Sequence, residues 1–317
     1  CRDFYLAKVL DFNHAPGMRL MPSLLVFVSL AVASQAETIR VASYNVENYL
    51  LANRVVEGRW LPDYPKPEEE KEILRAIIRE VNPDILALQE MGEGPFLAEL
   101  QSDLRAEGLD YPHAIILNGP DDVRHLAILS RVPPREIHRH TQVPFRYLDE
   151  QETVKRGLLE VSFQTQGITW SLFNLHLKSR WTTREDDPQS LIRRTGEAQA
   201  LRDLIRQRHP PEGEASRYLI MGDFNDYRDS APLRRFLRVG NTTLTRMVPA
   251  HDSRGETWTF LFRRRDLYER VDFILASPAM EPFLQEGSGR IADFHPRTMT
   301  ASDHRMVYAD LDFGGDG

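Results

Sequence analysis

Eight polar residues stand at or beside the ends of apolar runs: Asn45, Glu90, His176, Asp223, Asn225, Asp272, Asp303 and His304. Segments at strand ends open onto loops, and loops on a rigid scaffold are where chemistry is usually placed. Together they supply what a divalent-metal phosphoesterase needs. Hard oxygen donors can hold Mg²⁺ or a similar ion. An aspartate can orient or deprotonate water, and histidines can neutralise phosphoryl oxygens and protonate a leaving group. Taken singly, each has a plainer reading. A lone strand-end Glu is a solvated group or a cap, Asp-x-Asn is turn chemistry, and a lone His is hydrogen-bonded structure. The joint pattern carries the inference.

The elements that must position these residues follow from hydrophobic periodicity. Ile39 to Val46 reads as a strand. In 68–81, Leu74, Ile77, Ile78 and Val81 recur at helical spacing, and Asn82-Pro83 ends the helix. Asp84 to Glu90 is a nearly continuous apolar strand, followed by helix over 95–107. Strands are predicted near 113–117, 124–130, 156–163 and 168–176, then a long helix over 189–207. Further strands fall at 218–223, 257–261, 271–275 and 306–311. Residues 57–67 form a polar, Pro-rich stretch. No internal repeat is visible. In the run 173–178, Asn174, His176 and Lys178 alternate with Phe173, Leu175 and Leu177, so the three polar groups share one face. Asp223 and Asn225 share a face for the same reason. Many strands with few helices between them predict two packed sheets with helices outside.

The N-terminal segment is read separately. Met18-Arg19 precedes an apolar run from Leu24 to Val32, and Ser34-Gln35-Ala36 places small residues at the −3 and −1 positions. This is the pattern of a secretory signal with cleavage after Ala36, too short to span a bilayer. Residues 1–17 read as upstream material. The expected organisation is therefore 1–36 as upstream residues plus signal and 37–317 as one catalytic domain, periplasmic or secreted. The 317 residues carry 40 Lys and Arg against 47 Asp and Glu, for a net charge of −7, with a mean hydropathy of −0.43. That composition excludes disordered, collagen-like and multi-pass membrane classes, and a generally basic nucleic-acid coat protein. The single cysteine, Cys1, precedes the predicted cleavage point. Thiol catalysis and Cys-ligated zinc are thus excluded for 37–317.

In chain order, Tyr44-Asn45-Val46, Leu88-Gln89-Glu90, Ala127 to Ser130, Asn174-Leu175-His176, Gly222-Asp223-Phe224-Asn225, Val271 to Leu275 and Ser302-Asp303-His304 resemble the motifs of the endonuclease/exonuclease/phosphatase family, whose members include deoxyribonucleases. The resemblance covers about 39–313. It implies a four-layer α/β sandwich, two packed mixed β-sheets flanked by helices, with the site at one end. It implies Glu90 as the main metal ligand, with Asn45 and Asp303 near or on a Mg²⁺, for which Mn²⁺ or Ca²⁺ could substitute. Asp223 would activate water, Asn225 would fix Asp223 and the scissile phosphate, and His304, oriented by Asp272, would contact the phosphoryl oxygen. His176 would protonate the leaving group.

The expected substrate is nucleic acid or another phosphodiester. Lys178, Arg180, Arg184, Arg193 and Arg194 cluster after the His176 strand with Trp181 among them, and Arg263-Arg264-Arg265 follows Trp258, Phe260 and Phe262. Cations interleaved with aromatics suit a polyanion with stackable bases. Lys178 and Arg180 are the candidate phosphate contacts. An exported nuclease fits best. A phosphatase or a small or lipid phosphodiesterase of the same fold is the alternative, and a binding module without chemistry is the third reading. No stable membrane association is expected, since no exposed aromatic hairpin is apparent.

Overall fold

The computed structural model describes residues 38–210 and 216–314; the predicted signal segment lies outside them. Two six-stranded mixed sheets carry the fold. The first contains β1 (Thr38–Tyr49), β2 (Ile85–Met91), β3 (His113–Leu117), β4 (His125–Ser130), β11 (Arg290–Ile291) and β12 (Val307–Asp312) in the order β11-β12-β1-β2-β4-β3. The second contains β5 (Glu136–His140), β6 (Leu158–Thr165), β7 (Ile168–His176), β8 (Tyr218–Asp223), β9 (Arg246–Met247) and β10 (Asp272–Ala276) in the order β9-β10-β8-β7-β6-β5. Helices α1 (Glu68–Val81), α2 (Gly94–Ala106), α3 (Leu191–Arg208) and α4 (Ala231–Leu237) connect them.

Each sheet has one parallel pair, β1 with β2 and β7 with β8, with antiparallel neighbours on both sides. The segments β1-α1-β2-α2-β3-β4 and β7-α3-β8-α4-β9-β10 repeat one topology, with strand orders 1-2-4-3 and 7-8-10-9. The expectation of no internal repeat therefore holds for residues and fails for topology. Register and burial need only apolar positions of the right period, so two copies of one path leave no matching letters.

Alternation within the strands builds the layers. Val41, Ile85, Ala87, Ile128, Val161, Leu172, Leu219, Met221 and Ile274 form the core between the sheets. The opposite face of β1 and β2 packs Ala42, Tyr44, Leu86 and Leu88 against Leu74, Ile77 and Ile78 of α1. In the second sheet Phe173, Leu175 and Ile220 pack against Ala198, Leu201 and Ile205 of α3. Helix α1 starts on Glu68, Glu69 and Glu70, acids that complement the positive end of its dipole, and stops at Asn82 in the left-handed region.

Along the inter-sheet face the residue type changes from apolar to polar toward one end. On β1 that face runs Ile39, Val41, Ser43, Asn45; on β7 it runs Trp170, Leu172, Asn174, His176; on β8 it runs Leu219, Met221, Asp223. The changeover is sealed by Asn174, fully buried, whose Nδ2 donates to the carbonyls of Leu88 and Ala127, each at 3.0 Å. Its Oδ1 accepts from Gln89 Nε2 at 2.8 Å, so one amide ties the second sheet to two strands of the first.

Two readings change. Residues 257–261 join neither main sheet; Phe260–Phe262 pairs with Leu267–Glu269 in a separate hairpin. The Pro-rich stretch is largely a second hairpin, Ala52–Val56 with Arg59–Tyr64. Both lie at the polar end of the sheets, where exposed side chains give no one-sided burial period to read.

Replacing Asn174 by Leu should remove the side-chain donor from two buried carbonyls and one acceptor from the Gln89 amide, which keeps Ser43 Oγ at 3.2 Å. At about 1–3 kcal/mol per unsatisfied group, the variant should lose roughly 3 kcal/mol or more in urea unfolding.

Candidate active site

The parallel pairs deliver their C-terminal ends to the same edge: Asn45 from β1, Glu90 from β2, His176 from β7 and Asp223 from β8. Asp272 arrives there as the first residue of β10, directly opposite Asp223 in register. Asp303 and His304 enter on the segment before β12, where Ser302 Oγ donates to Asn45 O at 2.8 Å and accepts from His304 N at 3.0 Å.

Asp223 is the hub. Its Oδ2 accepts from Asn45 Nδ2 at 3.1 Å and from Asn225 Nδ2 at 3.2 Å, and its Oδ1 accepts from the Asn225 backbone N–H at 2.8 Å. Oδ2 also lies 3.4 Å from His176 Nε2 and 3.8 Å from His304 Nε2. Asn225 sits in the left-handed region at φ 53°, which lets its side chain turn back onto Asp223 and onto Leu177 O. His304 Nδ1 is 2.9 Å from Asp272 Oδ2. One donor atom each of Asp223, Asp272 and His304 lies within 4.8 Å of the others, yet His304 Nδ1 is engaged by Asp272. We read that contact as a carboxylate–imidazole pair that orients the ring.

The electrostatics separate the two histidines. Burial alone would lower His304, but Asp272 and Asp223 outweigh it and raise the ring well above its ordinary value, so it is an imidazolium at neutral pH. Burial, with Arg156, His304 and Arg124 adding to it, pushes His176 well below its ordinary value, so it is neutral. Burial also raises Asp223 to about 7, with Asp272 and Glu90 adding to the effect and His304 opposing it.

Glu90 has φ 61°, unusual for a residue with a side chain, where the β2 pairing to β4 shifts register. The bulge turns its carboxylate to accept from Asn48 N at 3.1 Å, 3.9 Å from His176 Nε2. Glu47, two residues after Asn45 in β1, accepts the Asp303 backbone N–H at 2.7 Å, and its own N–H donates to Asn45 Oδ1 at 3.0 Å. Burial raises the Asp303 carboxyl to about 7, with Glu47 and Glu90 among the contributors. Glu47, Glu90, Asp303 and the Asn45 amide oxygen are hard oxygen donors of the kind a divalent cation takes, although Arg124 lies 3.6 Å from Glu90 and Arg263 3.7 Å from Glu47. Glu90, Asp303 and Asn45, together with Glu47, are the residues that would hold it.

Glu47, Arg124 and Arg156 were not singled out by sequence reasoning. Arg124 Nε is 3.6 Å from Glu90 Oε2. Arg156 is buried; its Nε lies 3.1 Å from Asp121 Oδ2, and its Nη1 has no hydrogen-bond partner. The two arginines precede β4 and β6, antiparallel strands whose starts share the site's end. A search of strand starts as well as strand ends would have found both, and Glu47 follows Asn45 at same-face spacing.

The cations predicted after the His176 strand are held within the protein, whereas Arg264 and Arg265 are exposed and make no ion pair among the described residues. Lys178 Nζ donates to Ser179 O, Ser179 Oγ and Trp181 O at 3.0, 3.1 and 2.5 Å. Arg180 donates to Asn225 O at 3.2 Å and pairs with Glu269 at 2.7 Å. Arg194 pairs with Asp226, Arg193 with Glu152 and Arg184 with Asp186. Neither a cavity of about 430 Å³ lined by Trp258, Leu261, Tyr268 and Arg305 nor one of about 550 Å³ between 139–144 and α3 holds any of the site residues.

The four-layer sandwich and this arrangement of strand-end acids and histidines define the class, and the comparisons agree. The family model of the Endonuclease/Exonuclease/phosphatase family matches residues 42–304; the chain belongs to this family. Among solved structures, an endonuclease/exonuclease/phosphatase from Bacteroides vulgatus is 17% identical with TM-score 0.58, over 87% of this chain and 98% of that one. The human Nocturnin catalytic domain with bound sulfate is 17% identical with TM-score 0.59, over 87% and 97%. A mannosyl-6-phosphatase from Bacteroides thetaiotaomicron is 18% identical with TM-score 0.57, over 87% and 100%. No match is found among curated proteins. At these identities the structural likeness establishes the fold.

Arg305 clamps the His304 segment: it donates to Asp252 Oδ2 at 2.8 Å and to Ala292 O at 3.2 Å, and lies 4.1 Å over the Trp258 ring. Burial alone would raise Asp252, but Arg305 and the backbone N–H groups of Glu256 and Arg254 outweigh it and hold the carboxyl at about 2. A depressed carboxylate stabilises the fold above its unfolded value near 4, and that contribution fades as pH falls through about 2. Asp252→Asn should therefore be less stable than wild type at pH 7, and the gap in urea midpoint should narrow from pH 5 to pH 2.

Proposed function

We propose that the protein is an exported, divalent-metal-dependent phosphodiester hydrolase that cleaves nucleic acid by attack of water on phosphorus. Family membership supports phosphoester hydrolysis; the nucleic-acid substrate and export are our reading. The observation that carries it is the pairing of a buried, near-neutral Asp223 with the charged His304–Asp272 couple, 3.8 Å apart, beside the carboxylates Glu47, Glu90 and Asp303. Export rests on the pattern of residues 18–36, which makes 37–317 the catalytic domain and places it in the periplasm or outside the cell.

In this reading Asp223 accepts the proton of the attacking water, since a base near neutrality is the efficient one at physiological pH. Asn45 and Asn225 hold its carboxylate in place. His304 directs its Nε2–H to a phosphoryl oxygen, with Asp272 fixing the ring from the Nδ1 side. Arg156, whose Nη1 is unpartnered, and Arg124 add positive charge on the His176 side. His176, neutral before substrate arrives, serves as a hydrogen-bond donor at the leaving-group side; the proton stored in the free protein is on His304. A Mg²⁺ on Glu90, Asp303, Asn45 and Glu47, replaceable by Mn²⁺ or Ca²⁺, would supply Lewis-acid stabilisation of the developing charge.

Purified protein should nick plasmid DNA, or cleave RNA, with Mg²⁺ and lose this activity in EDTA. Glu90→Ala, Asp223→Ala and His304→Ala should each reduce kcat by at least 10²–10³-fold, about 3–4 kcal/mol, with an unchanged far-UV circular dichroism spectrum. Cleavage confined to bis(p-nitrophenyl) phosphate would move the substrate to a smaller phosphoester. Inactivity on every substrate with every metal would overturn the hydrolase reading.

A further inference from the structure

Among the described residues, the large apolar side chains that remain exposed are unevenly placed. All except Phe294 belong to segments that leave or enter the site end of the sheets. Three of the aromatic ones follow or precede a site residue at short range. Trp181, 75% exposed, comes five residues after His176; Tyr227, 49% exposed, four after Asp223; and Tyr268, 59% exposed, four before Asp272.

These three rings stand on one braced rim. Arg180 reaches from the loop after β7 to Asn225 O on the loop after β8, and to Glu269 on the hairpin before β10. Tyr227 OH donates to the same Glu269 carboxylate at 2.8 Å, and the Arg180 guanidinium lies 4.2 Å from the Tyr227 ring centroid. Trp181 is tied in through its carbonyl, which accepts from Lys178. Tyr268 leans edge-on to Trp258, ring centroids 4.8 Å apart, and both line the 430 Å³ cavity. Aromatic side chains this exposed are normally loose. Here the loops beneath them are held by a shared ion pair and by hydrogen bonds.

We infer that this rim binds single-stranded nucleic acid, with unpaired bases stacking on Trp181, Tyr227 and Tyr268 to either side of the scissile phosphate. This rests on the nucleic-acid reading above and deepens it. Charge decides against a duplex. Duplex affinity is carried mainly by phosphate contacts from cations. The chain is net negative, and Lys178, Arg180, Arg184, Arg193 and Arg194 are engaged with carbonyls or acids of the protein, as is Arg263. That leaves Arg264 and Arg265 as the exposed cations of the predicted set without an ion pair among the described residues, too few to track two strands. Stacking needs no free cations, and an unpaired base offers its face where a paired one does not. A bilayer fits less well. Contrary to the expectation from sequence, both hairpins at this end expose apolar or aromatic side chains, Val55 and Trp60 on one and Phe262 and Tyr268 on the other. They turn, however, on Glu57-Gly58 and on Arg263-Arg264-Arg265-Asp266, so polar tips would have to enter the lipid first.

The test measures kcat/KM with Mg²⁺ on a single-stranded 20-mer, on the same sequence as a duplex, and on bis(p-nitrophenyl) phosphate. It compares wild type, Trp181→Ala, Tyr268→Ala and Tyr268→Phe. The single strand should be cut in preference to the duplex. The ratio of single-strand to small-diester kcat/KM should fall about tenfold in each alanine variant, equivalent to about 1.4 kcal/mol, and recover in Tyr268→Phe. Equal cleavage of both nucleic acids, or an unmoved ratio, would overturn the stacking inference while leaving the nuclease reading in place. Hydrolysis of the small diester alone would remove the nucleic-acid reading and this inference with it. Co-sedimentation with anionic phospholipid vesicles that is lost in the alanine variants, with the ratio unmoved, would overturn it in favour of a lipid surface.

Discussion

The structure depends on one change of character between the sheets. Over most of its length the inter-sheet layer is dry and apolar, with Val41, Ala87, Leu172 and Met221 fully buried. At one end the same alternating positions become Ser43, Gln89, Asn174 and then Asn45, His176 and Asp223. A buried polar group is costly unless it is hydrogen-bonded, and Asn174 with Gln89 is how the change is made without an unpaired amide. The lock also fixes register. A slip by one residue would turn the whole polar set toward the helices and the apolar set into the site.

Above that lock, like charges are brought together. Glu47, Glu90 and Asp303 converge with Asp223 and Asp272 nearby, and the raised Asp223 and Asp303 carboxyls record the repulsion and burial this entails. The protein meets part of the cost with an imidazolium at His304. Backbone strain adds a second cost, since Glu47, Asn48 and Glu90 all have positive φ. Lys66, buried, donates to Glu47 O at 3.1 Å, and Arg54 donates to Asn48 O, so the hairpin after β1 secures the strained pair. An arrangement destabilised by its own negative charge is one that a bound cation would relieve.

The loops are equally committed. Arg180, Glu269 and Tyr227 join three of them, while Arg305, Asp252 and Trp258 hold the fourth, which carries His304. Several arginines that in isolation suggest polyanion binding therefore act as struts. Their charge is engaged in positioning the loops that carry the site residues.

Alternation and helical period were enough to predict α1, β2, β7 and β8, and to place Asn174 and His176 on one face. Those patterns are local, because burial on one side imposes a period on neighbouring residues. The motif order also identified the polar residues that converge, from Asn45 to His304, although they are separated by more than 250 positions. What local pattern could not contain is pairing between distant segments. The topological repeat, the bulge that turns Glu90, the arrival of Arg124 and Arg156 from antiparallel strand starts, and the engagement of Lys178 and Arg180 all depend on which strand lies beside which. A side chain's residue type is written in the sequence. Whether its charge faces substrate or another side chain is decided only when the sheets close and the partners come within hydrogen-bonding distance.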